Sequence, residues 1–301
     1  MKHAVDHLVL CVKDLDRARD LYARLGFTLT PRARHPFGTA NHLAQLHGSF
    51  IEVLGVADRA QIPQAGPGEF SFGAFNAAFL ERRDGFSMLV FQTENARRDQ
   101  HAFAARGLDT YAPFDFSRRA LLPDGSAVTV AFSLAFVTHA AMPDVAFFSC
   151  QQHAPQYFWK PEYQRHANGA LAIVEVVMAA EDPAGLADFF GRLVDPKAVT
   201  TEDNCLRIAL SGGAIAVLDR DRLHAWCPEA VMRPSPAFVG YAVTVRDLDG
   251  AEAMLRQGEV PYRKRHDGLQ IVPGDALGTV IEFRAAREHD TAPVPKGGTS
   301  E

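Results

Sequence analysis

Residues 4–27 read AVDHLVLCVKDLDRARDLYARLGF, and their grammar decides the fold. Leu8 to Val12 is a continuous apolar run of strand length. Asp14 suits a helix N-cap, and Ala18, Leu21, Tyr22 and Leu25 recur at helical spacing before Gly26 ends the helix. The stretch therefore predicts strand, cap, helix and stop. Short strand candidates follow at Phe27 to Thr30, Asn41 to Leu46 and Phe50 to Leu54. Together they make one βαβββ unit.

The same grammar returns near the other end, in VGYAVTVRDLDGAEAMLRQG at residues 239–258. Val12-Lys13-Asp14-Leu15-Asp16 reappears there as Val245-Arg246-Asp247-Leu248-Asp249, and the closing strand FIEV (50–53) reappears as VIEF (280–283). Weaker copies lie between. GFSMLVFQTENARRDQHAFAARGL (85–108) supplies a strand and helix, followed by strand candidates Val128 to Val137 and Val145 to Cys150. AIVEVVMAAEDPAGLADFFGRLV opens another unit at Ala172, which closes with AIAVLD. The expected fold is α+β, with four tandem βαβββ units. A unit with one apolar sheet face cannot stand alone, so the units are expected to pair into two cupped-sheet domains, residues 1–150 and 172–286. Between them, residues 151–171 break the period with Pro155, Pro161 and a run of aromatics, which predicts a structured linker. The polar, Pro/Gly-rich tail 287–301 is expected to be disordered.

Composition excludes several classes. The 301 residues are 47% hydrophobic and 22% charged, as in globular proteins, with a net charge of -5. A pI near 6.2 gives no electrostatic attraction to nucleic acid or anionic membranes. Cys11, Cys150, Cys205 and Cys227 are scattered, which fits a reducing, cytoplasmic setting better than a disulfide scaffold or thiolate zinc site. No apolar run approaches the roughly 20 residues of a membrane span, and no signal-peptide pattern opens the chain. The nucleophile-elbow, P-loop, dinucleotide-binding and HExxH motifs do not occur.

DHLVLCVKDLD, LYARLGF, RHPFGTANHLAQL and SFIEVLG together resemble the glyoxalase-like branch of the vicinal oxygen chelate superfamily. FFSCQQHAPQYFWKPEYQRHANGA is similar to a linker in bacterial members of that branch. The resemblance implies two βαβββ units joined into a cup that often holds a divalent metal, Zn, Ni, Mn, Fe or Co. It also implies ligands early on the first strand and midway along the last. In unit one these positions fall on His7 and Glu52. The matching positions elsewhere offer Met88 with Phe148, Glu175 with Ala216, and Gly240 with Glu282, so no adjacent pair of units yields a full set. Unit one paired with unit two leaves His7 and Glu52, with His153 bending in. Paired with unit four it offers His7, Glu52 and Glu282.

Beside the metal candidates stand Glu52 and His42 as candidate bases, with His42 able to face the cup or solvent. His35 and the Gly38-Thr39 turn suggest a lid. Arg118, in FDFSRRALLPDG, resembles an arginine of the branch and suits a substrate carboxylate or enolate. Gln151, Gln152 and His153 end a strand where the cup should open, and Gln152 or His153 is expected to line the cavity of His7, with Trp159 packing beneath. The 21 phenylalanines favour an apolar or aromatic ligand. The resemblance implies a metal-assisted lyase or isomerase acting on a small carbonyl or aromatic substrate. A metal-free binding or resistance protein is the alternative, a ring-cleaving dioxygenase is a weaker one, and a homodimer is compatible with either.

Overall fold

A computed structural model of the chain describes residues 3–121 and 127–286, so the tail from residue 287 lies outside the described residues. Four units follow one another. The first runs β1 (Val5–Cys11), α1 (Leu15–Arg24), β2 (Ala33–Arg34), β3 (Thr39–Gln45) and β4 (Phe50–Val56). After an added helix, α2 (Phe72–Arg82), the second runs β5 (Gly85–Gln92), α3 (Ala96–Ala105), β6 (Asp109–Thr110), β7 (Phe114–Leu121), β8 (Ala127–Thr138) and β9 (Ala146–Gln152). A single-turn helix, α4 (Pro155–Phe158), lies in the connection. The third unit comprises β10 (Ala170–Ala179), α5 (Ala187–Leu193), β11 (Val199–Glu202), β12 (Cys205–Leu210) and β13 (Gly213–Leu218). Helix α6 (Arg220–Trp226) leads to the fourth: β14 (Ala237–Val245), α7 (Leu248–Gln257), β15 (Arg263–Arg265), β16 (Gly268–Ile271) and β17 (Val280–Ala285).

The repeated Asp-Leu-Asp does the same work twice. Asp14 accepts hydrogen bonds from the amides of Asp16 and Arg17 at the start of α1, and Asp247 accepts from those of Asp249 and Gly250 at the start of α7. These bonds satisfy amides that a helix leaves without partners. Gly26 follows α1 with φ of 87°, where a side chain would be strained.

Two sheets result. The first has nine strands in the order β2-β3-β4-β1-β5-β9-β8-β6, with β7 also on β8; the second has eight, β11-β12-β13-β10-β14-β17-β16-β15. Unit one therefore pairs with unit two through antiparallel β1 and β5, and unit three with unit four through β10 and β14. The alternative pairing of unit one with unit four does not occur. Phe27 to Thr30, expected as a strand, is irregular. Thr28 bonds to the linker instead, its amide to His166 Nδ1 and its hydroxyl to the Arg165 carbonyl, while the Thr30 amide donates to the Leu43 carbonyl of β3.

Alternation along each strand divides the apolar residues between two faces. Leu8, Leu10, Leu89 and Phe147 of the first sheet join Val176, Met178, Tyr241 and Phe283 of the second in one core, which also takes in α1, α5 and α7. Phe86 stacks on Phe238 at 4.1 Å, and the buried hydroxyls of Tyr22 and Tyr241 meet at 2.6 Å. The sheets are thus packed back to back. Their other faces carry separate clusters, one rich in phenylalanine on the first sheet and a smaller one on the second.

Candidate functional site

The free face of the first sheet carries a partly open cavity of about 50 Å³. Phe37, Phe50, Phe72, Phe116, Phe132, Phe148 and Phe158 form most of its wall, and His7, His35, Asn41, Glu52 and Arg118 are its polar or charged groups other than Cys150. Helix α2 contributes Phe72 and the linker contributes Phe158. Trp159 backs this wall, packing against Phe50 and Phe158.

His7 is held from both sides. Its ring stacks on Phe50 at 4.2 Å, its Nδ1 lies 2.6 Å from Asp6 Oδ1, and its Nε2 lies 3.6 Å from Glu52 Oε2. Adjacent strand residues normally point to opposite faces. Here the β1–β5 register slips between Val5 and His7, and this bulge lets the side chains of Asp6 and His7 meet. Asp6 is buried and accepts a second bond from Gln152 Nε2 at 3.1 Å. With Asp6 accepting from Nδ1–H, Nε2 is the ring nitrogen turned toward Glu52.

Glu52 is held in turn. Asn41 Nδ2 donates to its Oε1 at 2.5 Å, and the same amide lies 3.4 Å from His35 Nε2. His35 Nδ1 bonds to Thr39 Oγ1 at 2.8 Å. Burial pushes the pKa of His35 down to about 4, against the pull of Glu52, so the ring is neutral at neutral pH. Burial also raises the Cys150 thiol, with Asp6 and Glu52 adding to the effect, so this cysteine stays protonated.

Several sequence expectations need correcting. His42 lies on the opposite face of β3 from Asn41 and Leu43. Its Nδ1 bonds to the Thr30 carbonyl at 2.8 Å, and it lines a separate pocket with Arg19 and Phe27. None of Gln151, Gln152 and His153 lines the cavity. Gln152 braces Asp6 from behind, while Gln151 and His153 line a neighbouring groove, where His153 Nε2 lies 2.8 Å from Ser133 Oγ. Alternation explains His42, because β3 presents every second residue to the cup; on β9 Gln152 shares the face of Phe148 and Cys150 but lies beyond the cavity wall, bonded to Asp6. Arg118 and His35 do reach the cavity, but His35 is a wall residue packed on Phe37 rather than part of a loose lid. Asp6, Asn41 and Phe158 went unread. Asn41 was legible as the inward neighbour of Leu43, whereas a bulge leaves no mark in residue alternation.

The strand registers test the metal expectation. Val9 pairs with Glu52 and Val90 with Phe148, so Met88 and Phe148 are the unit-two counterparts of His7 and Glu52. Neither is a suitable ligand for a divalent ion. Glu52 Oε1 is occupied by Asn41, and among the described residues no three His, Cys, Asp or Glu side chains are grouped to hold a metal ion. The donors present do not fit a resident metal.

In the second sheet the corresponding positions are Glu175 with Ala216 and Gly240 with Glu282. Arg284 bridges the two carboxylates, 2.7 Å from Glu175 and 2.5 Å from Glu282, and Arg207 adds a second ion pair to Glu175 at 2.8 Å. Glu282, the other candidate ligand, is therefore an ion-pair partner. A Cβ on Gly240 would lie 2.7 Å from the Trp226 ring. The Trp226 ring and the Arg284 ion pairs thus occupy the positions in the second sheet that match the candidate ligand positions of the first.

The fold and the aromatic cup of its first sheet define a paired-βαβββ protein. The glyoxalase-like domain family matches residues 5–194, and the chain belongs to this family, within the vicinal oxygen chelate superfamily. No curated protein matches the chain significantly. Among solved structures, a hypothetical protein from Staphylococcus aureus is similar at 13% identity and a TM-score of 0.64, over 94% of this chain and 99% of that one. A halotolerant catechol dioxygenase is similar at 13% and 0.55, over 95% and 87% of the two chains. A mutant of 4-hydroxymandelate synthase from Streptomyces coelicolor is similar at 14% and 0.54, over 95% and 94%. At such identities the likeness is one of fold. Among the described residues no helix is long and apolar enough to cross a membrane.

Proposed function

We propose that the chain is a glyoxalase-like enzyme of isomerase or lyase type that moves a proton on a small substrate held in the first cup. One observation carries this reading: two proton-accepting atoms, His7 Nε2 and Glu52 Oε2, face each other at 3.6 Å inside an aromatic cavity. One of them removes an acidic proton from the substrate, and the other assists its return at a neighbouring atom. If His7 takes the proton, the imidazolium lies between Asp6 and Glu52 and is stabilised by both. Asn41 holds Glu52 by one oxygen and leaves the other free to react. In this reading residues 1–150 form the working domain and residues 172–286 a supporting one.

The test is deuterium uptake from heavy water into small carbonyl compounds that bind the protein, followed by proton NMR. Catalysed exchange should fall by on the order of 10²-fold in Glu52→Gln and in His7→Asn. Exchange that persists unchanged in both variants defeats the reading. A second reading, binding without catalysis, is favoured by the mostly phenylalanine wall and the apolar unit-two counterparts Met88 and Phe148. Tight binding with no exchange on any ligand would select it.

A further inference from the structure

We infer that the ligand of this cavity is a small aromatic anion, its carboxylate or phenolate bound by Arg118 and its ring by the surrounding phenylalanines. The inference deepens the proton-transfer reading and relies on it only for the position of the reacting atom.

Arg118 lies on β7 with Phe116 two residues before it, so both face the cup. Its guanidinium is partly buried in a mostly apolar wall, yet among the described residues it has no hydrogen-bond or ion-pair partner. Other arginines withdrawn from solvent are paired: Arg83 with Asp144 and Arg284 with Glu175 and Glu282. Glu52 attracts Arg118 through space but forms no ion pair with it, because its oxygens are directed to Asn41 and His7. A guanidinium carries five N–H donors in a planar fork that matches a carboxylate. Leaving them unmatched in a low-dielectric wall is unfavourable, and an incoming anion removes that cost.

The rest of the cavity fixes the shape of the ligand. Phe50, Phe72, Phe116, Phe132 and Phe148 offer ring faces and edges and few polar groups, which suits a flat apolar body. A sugar or nucleotide would bury more hydroxyls than the few polar side chains of this wall, several of them already bonded to neighbours, can satisfy. The proton-accepting pair His7 and Glu52 supplies a third feature of the same wall. The geometry suits a ligand with an anionic group for Arg118, a ring between, and an acidic hydrogen near His7 and Glu52.

Isothermal titration calorimetry on the full chain tests this with benzoate, phenylacetate and phenylpyruvate against the neutral benzamide and phenylacetamide. At least one acid should bind, with its amide at least about tenfold weaker. Arg118→Met should weaken the acid by about tenfold or more and the amide little, and Arg118→Lys should restore only part. Amides that bind as tightly as the acids, equal losses of both in Arg118→Met, or no binding of any acid would overturn the inference. Should Arg118→Met fail to fold, the acid-to-amide ratio of the unaltered protein decides. Arg118-dependent binding without deuterium exchange would defeat the proton-transfer reading alone.

Discussion

Asp6 and His7 are consecutive in β1, yet their side chains touch, Oδ1 to Nδ1 at 2.6 Å, because the strand bulges between Val5 and His7. The bulge converts two sequence neighbours into an orienting carboxylate and an oriented imidazole. An ordinary strand would place these groups on opposite faces.

Removing the charge of that carboxylate should uncouple catalysis from binding. In Asp6→Asn the amide can donate as well as accept, so His7 loses its fixed tautomer. Exchange should slow by on the order of 10²-fold while ligand affinity changes little, and the pH profile of the residual rate should shift. Parallel losses of rate and affinity would make Asp6 a residue of structure only.

His35 should give the protein an acid-sensitive stability. The unfolded ring titrates near 6.5 and the folded one near 4, so the folded state binds fewer protons between these values. The stabilisation is complete above about pH 6.5 and is lost as pH falls through 4, amounting to roughly 3 kcal/mol. Urea unfolding at several pH values should show this slope in the unaltered protein and a shallower one in His35→Gln.

Arg284 should matter for stability and not for the first cup. Arg284→Met leaves Glu175 and Glu282 without their shared cation. Because Arg284 is partly exposed, the loss should fall below the roughly 3–5 kcal/mol of a fully buried pair, at about 2 kcal/mol. Ligand titration of the same variant should give an unchanged Kd; a weakened one would show that the second cup takes part in binding.

His42 and His153 stand outside the cavity, so His42→Gln and His153→Ala should keep exchange rates within about twofold of the unaltered protein. A larger effect of either would reopen its place in the site.

Much of this architecture was legible because a repeat constrains itself. The Asp14 and Asp247 caps fix where each strand must end, and the register positions of His7 and Glu52 follow from them. What escaped has physical reasons. Alternation around His42 and Leu43 gives two faces but not which one meets the cup. Phe27 to Thr30 has the apolar character of a strand, yet His166 and Arg165, more than a hundred residues away, take the amide and hydroxyl of Thr28. The helix α2 carries a capping Ser71 and an apolar run, FGAFNAAFL, that could have been read locally. Phe158 enters the cavity only because the linker folds onto the sheet: Gln45 Nε2 donates to the Phe158 carbonyl, and the Lys160 amide donates to Gln45 Oε1.

The back-to-back packing of the sheets has a consequence for how the molecule comes apart. Tyr22 with Tyr241 and Phe86 with Phe238 bury their contacts in a core to which both halves contribute, so neither half can melt without stripping the other. Thermal unfolding is then a single cooperative event. A ligand that touches only the first cup raises the melting temperature reported by Trp226 in the second half as much as that reported by Trp159 near the cavity. The second half acts as a lever on the first: a substitution far from any ligand changes how much of the chain is available to bind.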